Sequence, residues 1–421
     1  MSAEDSLHKP IFRAVTPLVL EALDTARITV VQGARQVGKS TLVSQLVAAR
    51  QGRLVTLDDP VTLAAAQADP SAFVAQHPGG LLAIDEAQRA PELALALKAA
   101  VDAHPRPGKF LVTGSADLLR APGSADSLAG RAQTIELHPF TQGELAGRSD
   151  SFLDRLVAGD FTLDRSGGWS REDYLDAANA GGFPEARART SGRSRNAWWR
   201  DYLDRLLRRD AVEQADLHHI ERLPLLLRIL AAGHTQELIV DRLAANIDVP
   251  SRSLPAYLDL LQRLYLLHLL PPWSTNLTKR ETGRHRIQLT DSGMVFHLLG
   301  LTAARLAPGG GPDYAGPILE GFATEQLRRQ AWWAQQEIRL FGYRTYDQRE
   351  IDVVVETADG KVGAVEVKAS STVGEKDFRH LRWFAEKLGK RFLGGVLLHT
   401  GKTAAPFGPK LAALPFSALW T

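Results

Sequence analysis

The chain has 421 residues, 44% of them hydrophobic and 23% charged, a composition ordinary for a folded soluble protein and long enough for about three domains of roughly 150 residues. It contains no cysteine, which excludes disulfides, zinc–thiolate sites, iron–sulfur clusters and cysteine nucleophiles, so any metal must rest on oxygen or imidazole ligands, with Mg²⁺ the leading candidate. The formal net charge of +2 names no partner, and with a charged start, MSAEDSLHKP, and no apolar run near the roughly 18 residues of a membrane span, no membrane association and a cytoplasmic location are expected.

Residues Arg27 to Val31 read as a short β-branched strand, and Gln32 leads into Gly33-Ala34-Arg35-Gln36-Val37-Gly38-Lys39-Ser40-Thr41 and the amphipathic segment Leu42 to Ala48. This is G-x-x-x-x-G-K-S between a strand and a helix. The glycines let backbone N–H groups curl around a phosphate, Lys39 can reach the β- and γ-phosphates, Ser40 can ligate Mg²⁺, and the helix N-terminus adds a favourable dipole. Residues 33–41 are therefore the expected binding site for ATP.

A second apolar strand, Gly80 to Ile84, ends in Asp85-Glu86, two carboxylates at the end of a strand where an α/β sheet presents its ligand crevice. Asp85 is expected to hold Mg²⁺ through water, and Glu86 to orient or deprotonate the attacking water, which makes hydrolysis the expected reaction. The alternative is a pair of acids that caps a helix near Ala87. A third strand, Lys109 to Thr113, leads to Gly114-Ser115, and Thr113 or Ser115 could touch the γ-phosphate or the water. Ser127-Leu128-Ala129-Gly130-Arg131 then precedes a short strand, Gln133 to Leu137.

The runs GARQVGKSTL, AIDEAQ, LVTGSADLL and SLAGR resemble the N-terminal ATPase of prokaryotic AAA+ proteins that carry a DUF4143 region. The similarity continues through Gly181-Gly182-Phe183-Pro184, Pro271-Pro272-Trp273, Asp291-Ser292-Gly293 and Glu366-Val367-Lys368 to Leu419-Trp420. This resemblance implies an AAA+ core with a parallel sheet of order 5-1-4-3-2 and a homo-oligomeric assembly. It also makes Arg131 a candidate arginine finger, acting on a neighbour's γ-phosphate or within its own subunit, with a structural arginine paired to a carboxylate as the alternative.

After Leu145 the pattern is helical, from Phe152 to Ala158 and from Tyr174 to Ala180, and resembles a lid or linker. Between Arg187 and Arg209 stand eight arginines against two acids, Asp201 and Asp204, with Trp198, Trp199 and Tyr202 among them. Such a helix could meet phosphates, pack on an acidic neighbouring subunit, or simply be solvated. Helices are then expected over Arg222 to Ala232, Leu238 to Ala245 and Leu254 to Leu264, followed by a strand, Tyr265 to Leu270, a basic loop with Lys279, Arg280 and Arg284, and a return strand, Arg286 to Leu289. Three helices and a charged hairpin resemble a winged helix-turn-helix, which would make Arg252, Ser253, Tyr257 and the loop basics DNA contacts. Packing or protein contact is the alternative use of such a module.

From Leu340 the chain reads as β-structure, with Glu350 to Glu356, a turn at Ala358-Asp359-Gly360, and Lys361 to Lys368. A three-residue hairpin loop favours glycine at its last, left-handed position, so Thr357 should pair with Lys361. Asp352 then lies opposite Glu366, with Lys368 on the same face and Val353, Val355, Val365 and Val367 on the apolar one. A two-residue Asp359-Gly360 turn would instead put the two acids on opposite faces. Facing carboxylates repel, and a cation or the ammonium of Lys368 would relieve them. The arrangement looks like a PD-(D/E)xK nuclease core, in which Asp352 and Glu366 hold Mg²⁺, Lys368 helps activate water, and Glu320, on the helix Ile318 to Gln330, matches the upstream acid. Ile351-Asp352 lacks the literal proline of that pattern, and the same fold also serves recognition without cleavage.

The expected protein is thus α/β: an AAA+ ATPase domain over 1–145, a helical lid or linker over 146–215, a winged helix-turn-helix over 216–300, and a restriction-endonuclease-like domain over 301–421. ATP and Mg²⁺ are the expected cofactors. The expected partner is nucleic acid, DNA favoured, as the target of ATP-controlled cleavage; the alternative is an ATP-controlled regulatory or assembly switch that binds DNA or protein and cuts nothing.

Overall fold

Five short strands carry the phosphate loop: β1 (Ile28–Gln32), β2 (Arg53–Thr56), β3 (Leu82–Asp85), β4 (Phe110–Gly114) and β5 (Ala132–Glu136). All pair in parallel, in the order β2-β3-β4-β1-β5, which is the expected 5-1-4-3-2 seen from the other edge. Parallel strands are joined by crossovers that cover both faces of the sheet, and β3 and β4 are accordingly buried along their whole length. The helix Leu93–Ala103 supplies part of that cover with Leu93, Ala94, Leu97 and Val101, an apolar stripe at helical spacing.

The register decides what the sheet can present. Val31 pairs with Thr113 and Gln32 with Gly114, while Thr56 pairs with Asp85, so the carboxyl ends of β1, β3 and β4 share one rim. Described in this computed structural model are residues 11–114, 128–161, 168–214, 217–306 and 314–421. They fall into two compact units, Met1–Phe140 and Thr141–Thr421.

In the second unit the arginine-rich segment forms the helix Gly192–Arg205, continued by one π-helical turn, Leu206–Asp210. Trp199, Tyr202, Leu203 and Leu206 are buried, and Trp199 meets Phe183 edge-on at 5.3 Å, while Trp198 and Arg195 are half-buried and Arg193, Arg200, Arg205, Arg208 and Arg209 are exposed. Helices Leu223–Ala232, Val240–Asn246 and Leu254–Arg263 follow, close to their expected places. Next come β6 (Leu267–Leu270) and β7 (Arg286–Leu289), an antiparallel pair with Leu267 opposite Leu289. The loop between them contains a short helix, Leu277–Thr282.

The last sheet is mixed, with β8 (Ile338–Arg344), β9 (Glu350–Thr357), β10 (Val362–Lys368), β11 (Phe392–His399), β12 (Ala405–Pro406) and β13 (Leu411–Pro415) in the order β12-β13-β11-β10-β9-β8. Strands β8, β9 and β10 run antiparallel, and β10, β11 and β13 parallel. The β9–β10 hairpin has the three-residue loop: Thr357 N–H donates to Lys361 O at 3.0 Å, Gly360 N–H to Thr357 O at 2.9 Å, and Gly360 has φ +77°. Val353 pairs with Val365, which by alternation puts Asp352 and Glu366 on one face of the hairpin.

The hairpin departs from the expected alternation in one respect. Val354, Val362 and Ala364, on the face of the acids, are also fully buried, in a cluster with Phe378, Leu381, Phe384 and Leu388. The parallel step from β10 to β11 places the helix Arg379–Leu388 over that face, so the strands are covered on both sides.

Candidate functional site

The phosphate loop is shaped by three residues with positive φ: Gly33 at +154°, Gln36 at +58° and Gly38 at +100°. Gly33 must be glycine on steric grounds too, since a Cβ there would lie 2.2 Å from the carbonyl oxygen of Leu137. Ala34 and Val37 are buried in the loop's floor, Arg35 is half-buried and Gln36 exposed. Gly38 caps the helix Lys39–Ala49, whose first turn presents the exposed side chains of Ser40 and Thr41. Backbone N–H groups of that turn have no intrahelical acceptor and carry the positive end of the helix dipole.

Lys39 is buried, and its ammonium donates to the carbonyl oxygens of Gly33 at 3.0 Å and Ala34 at 2.9 Å. Burial pulls its pKa down to about 8, partly opposed by the charges of Glu86 and Asp85. A cation held by two neutral carbonyls exchanges them readily for phosphate oxygens, which carry full charge. Arg13 was not singled out in the sequence. Its guanidinium donates to Val37 O at 3.1 Å and to His138 O, and lies 4.5 Å over the Phe140 ring, bracing the loop from behind. No motif marks it, because its partners are backbone carbonyls, one of them 125 positions away.

Across the rim, the Thr113 hydroxyl donates to Asp85 Oδ1 and accepts the Glu86 N–H at 3.1 Å. Thr113 was expected to touch the γ-phosphate or the water. Its one hydroxyl hydrogen is engaged with Asp85, so it acts as the strut that sets both acids. Glu86 sits at φ +58°, a left-handed conformation that costs a non-glycine residue about 1–2 kcal/mol, and Gln88 Nε2 donates to its carboxylate. The helix-capping alternative does not hold, since neither acid caps an α-helix and Glu86 caps its three-residue 3₁₀ turn without a side-chain bond. Ser115 lies outside the described residues. For Mg²⁺ the donor set fits: the Ser40 hydroxyl at the helix start and the Asp85 carboxylate at the end of β3, with water and phosphate oxygens for the rest.

Arg131 stands just before β5, and its carbonyl accepts the Ile28 N–H at the start of β1, so it marks the amino edge of the sheet. The five residues of β1 put about 16 Å between that edge and the phosphate loop. Arg131 Nε and Nη2 instead grip Asp102 at 2.7 and 2.9 Å. The expectation that Arg131 could serve its own subunit's nucleotide is therefore corrected.

The C-terminal acids do come together, but around an arginine. Arg286, at the start of β7 and 3% exposed, has Nη1 3.0 Å from Glu320 Oε1 and 3.9 Å from Asp352 Oδ1, and its Nη2 donates to Glu350. Asp352 Oδ2 accepts the Val367 N–H at 2.8 Å, and Glu366 Oε1 is buried with no hydrogen-bond partner among the described residues. Burial lifts the pKa of Glu320, Asp352 and Glu366; Asp352 pushes its two neighbours further up, while Arg286 restrains Glu320 and Asp352. Burial also works against Arg286, but the four surrounding acids outweigh it and raise its pKa. Lys368, half-buried, adds its charge beside Asp352 and Glu366.

The expected Mg²⁺ site is thus corrected. Glu320 and Asp352 face a guanidinium, and among the described residues no three His, Asp or Glu side chains are placed to hold a metal ion. Two of the expected DNA contacts also turn inward. Tyr257 is buried with its hydroxyl on His218 O, and Arg280 is buried with both guanidinium arms on Glu356. Arg252, Lys279 and Arg284 remain exposed, and Ser253 half-buried. Among the described residues no helix is long and apolar enough to cross a membrane.

Residues 25–146 match the model of an AAA domain, residues 171–305 that of DUF8612, a domain of unknown function, and residues 315–419 that of DUF4143, also a domain of unknown function. The chain is 32% identical over 353 residues to Uncharacterized protein Rv2008c of Mycobacterium tuberculosis, a stretch that covers 83% of this chain and 72% of that protein. Uncharacterized protein Mb2031c of Mycobacterium bovis matches to the same extent. Among solved structures, the Walker-type ATPase PABY2304 of Pyrococcus abyssi is similar at 17% identity and a TM-score of 0.42, over 67% of this chain and 94% of that one.

Proposed function

The chain belongs to the family of the mycobacterial Rv2008c proteins, an AAA-domain ATPase joined to a DUF4143 domain, and from that premise we propose that it hydrolyses ATP with Mg²⁺ to switch its engagement of nucleic acid. The observation that supports the chemistry best is the shared rim, with Lys39 on β1's loop and Asp85 and Glu86 set by Thr113 on the adjoining strands. In this reading Lys39 and the backbone of residues 33–41 bind the β- and γ-phosphates, and Ser40 and Asp85 hold Mg²⁺. Bound Mg²⁺ neutralises phosphate charge. Glu86 takes a proton from the attacking water, its strained backbone fixing the carboxylate's direction.

Glu86→Gln should keep nucleotide bound while turnover stops, whereas Lys39→Ala should weaken binding. Turnover unchanged in Glu86→Gln removes that residue from the mechanism. Arg131 would have to leave Asp102, the carboxylate pairing that is the alternative to a finger, to serve a neighbouring copy in a homo-oligomer, and its edge of the sheet is out of reach of its own nucleotide. In mixtures of Arg131→Ala with Lys39→Ala chains, activity should then reappear, since each copy supplies what the other lacks.

Nucleic acid, DNA favoured, is the proposed partner, and the exposed Arg193, Arg200, Arg205 and Arg208 on one segment, with Arg252, Lys279 and Arg284 elsewhere, support it. Binding should weaken steeply with salt, as phosphate contacts require. Of the two roles open to the DUF4143 domain, recognition without cleavage is favoured by Arg286 among the acids. A panel of single- and double-stranded DNA and RNA with Mg²⁺ or Mn²⁺, with and without ATP, should stay intact. Cleavage that disappears in Asp352→Ala and Lys368→Ala would restore the nuclease reading.

A further inference from the structure

We propose that Arg286 is a tethered stand-in for a divalent cation, so that docking of the β6–β7 hairpin and metal binding at Asp352 and Glu366 exclude one another. The guanidinium supplies positive charge directly to three of the acids, 3.0 Å from Glu320, 3.9 Å from Asp352 and bonded to Glu350, with the Tyr343 and Asp352 carbonyls at 3.4 and 3.5 Å, and its charge also acts on Glu366. Guanidinium does not lose its proton in proteins, so the charge is permanent.

Room for the arginine is built into the neighbouring strand. A Cβ at Gly342 of β8 would stand 2.9 Å from both Cδ and Nε of Arg286, so only glycine lets the stem pass. The hairpin loop is fastened over the same sheet a second time. Arg280 grips Glu356, Trp273 Nε1 reaches Glu356 Oε1 at 3.3 Å, and backbone bonds join Trp273 N–H to Gly342 O and Gly342 N–H to Pro271 O. What the plug leaves unmet is Glu366 Oε1, buried and without a hydrogen-bond partner among the described residues, beside Asp352. An acid pair with one free buried oxygen retains capacity for a cation once the guanidinium is gone.

This inference concerns metal binding alone and stands whether or not the chain cuts nucleic acid. The test is a Mn²⁺ titration of the nucleotide-free full chain, with free Mn²⁺ read by electron paramagnetic resonance and folding checked by thermal denaturation. Wild type should show no Mn²⁺ binding that Asp352→Asn removes. Arg286→Met should gain about one equivalent, at least tenfold tighter than anything wild type shows at this place, and lose it again when Asp352→Asn is added. If Arg286→Met does not fold, the charge-balanced pair Arg286→Met with Glu350→Gln decides on the same readout. Asp352-dependent Mn²⁺ binding in wild type as tight as in the variant, or no gain in a folded variant, overturns the proposal.

Discussion

Two buried cations, Lys39 and Arg286, each sit beside strand-end acids, and their partners set their uses apart. Lys39 bonds two neutral backbone carbonyls, while Asp85 and Glu86 are tied to a threonine and not to the lysine. Arg286 is bound by the carboxylates themselves. A phosphate can displace carbonyls from an ammonium with a gain in charge pairing, but nothing displaces carboxylates from a guanidinium as easily. The first site is therefore prepared for an anionic ligand, and the second is closed by its own chain.

The sharpest test of the open site is Glu86→Gln. Losing a general base should lower turnover about 10²–10⁴-fold with nucleotide affinity retained, measured by steady-state hydrolysis beside equilibrium binding. On the closed site, Arg286→Ala should destabilise the second unit by about 3–5 kcal/mol, because it strands buried carboxylates, and denaturant unfolding would read it. A cost below about 1 kcal/mol would mean the cluster is solvated and the contrast is false. Thr113→Val should cost about 1–3 kcal/mol in the first unit by leaving the Glu86 N–H and Asp85 without their shared partner, with turnover reduced less than in Glu86→Gln.

How far each site could be read from sequence follows from the distance over which its contacts act. The phosphate loop is local, since Gly33, Gly38, Lys39 and Ser40 lie within one turn and its helix, and Asp85 and Glu86 end an unmistakably apolar strand. The register of β9 and β10 was legible from Gly360, because a left-handed loop position fixes every pair behind it. Thr113's role was not, since it depends on which strand lies beside β4. Arg286 was hidden most deeply: its partners stand 34 and 64 positions away, and sequence showed facing acids without showing what relieved them. Tyr257 was misread although the signal was present, because Leu254, Tyr257, Leu258 and Leu261 fall at i, i+3, i+4 and i+7, the spacing of a buried helix face.

The smallest effect separates the two cations by pH. Lys39 has its pKa held near 8, down from the ordinary 10.5, and burial is the main cause. The folded chain therefore binds fewer protons at this group than the unfolded chain between those values, and the cost of burying its charge is full below pH 8 and relieved as pH rises towards 10.5. Phosphates favour the charged form, so ATP affinity should be flat below about pH 8 and fall by up to tenfold per pH unit above it, until the raised pKa of the bound state is reached. A fluorescent ATP analogue titrated from about pH 7 to 10 would show the bend. Lys39→Arg, charged throughout that range, should give a flat profile even if its affinity is lower. A bend that persists in Lys39→Arg would assign it to another group and remove the evidence that Lys39 meets the phosphate as a cation freed from its own loop.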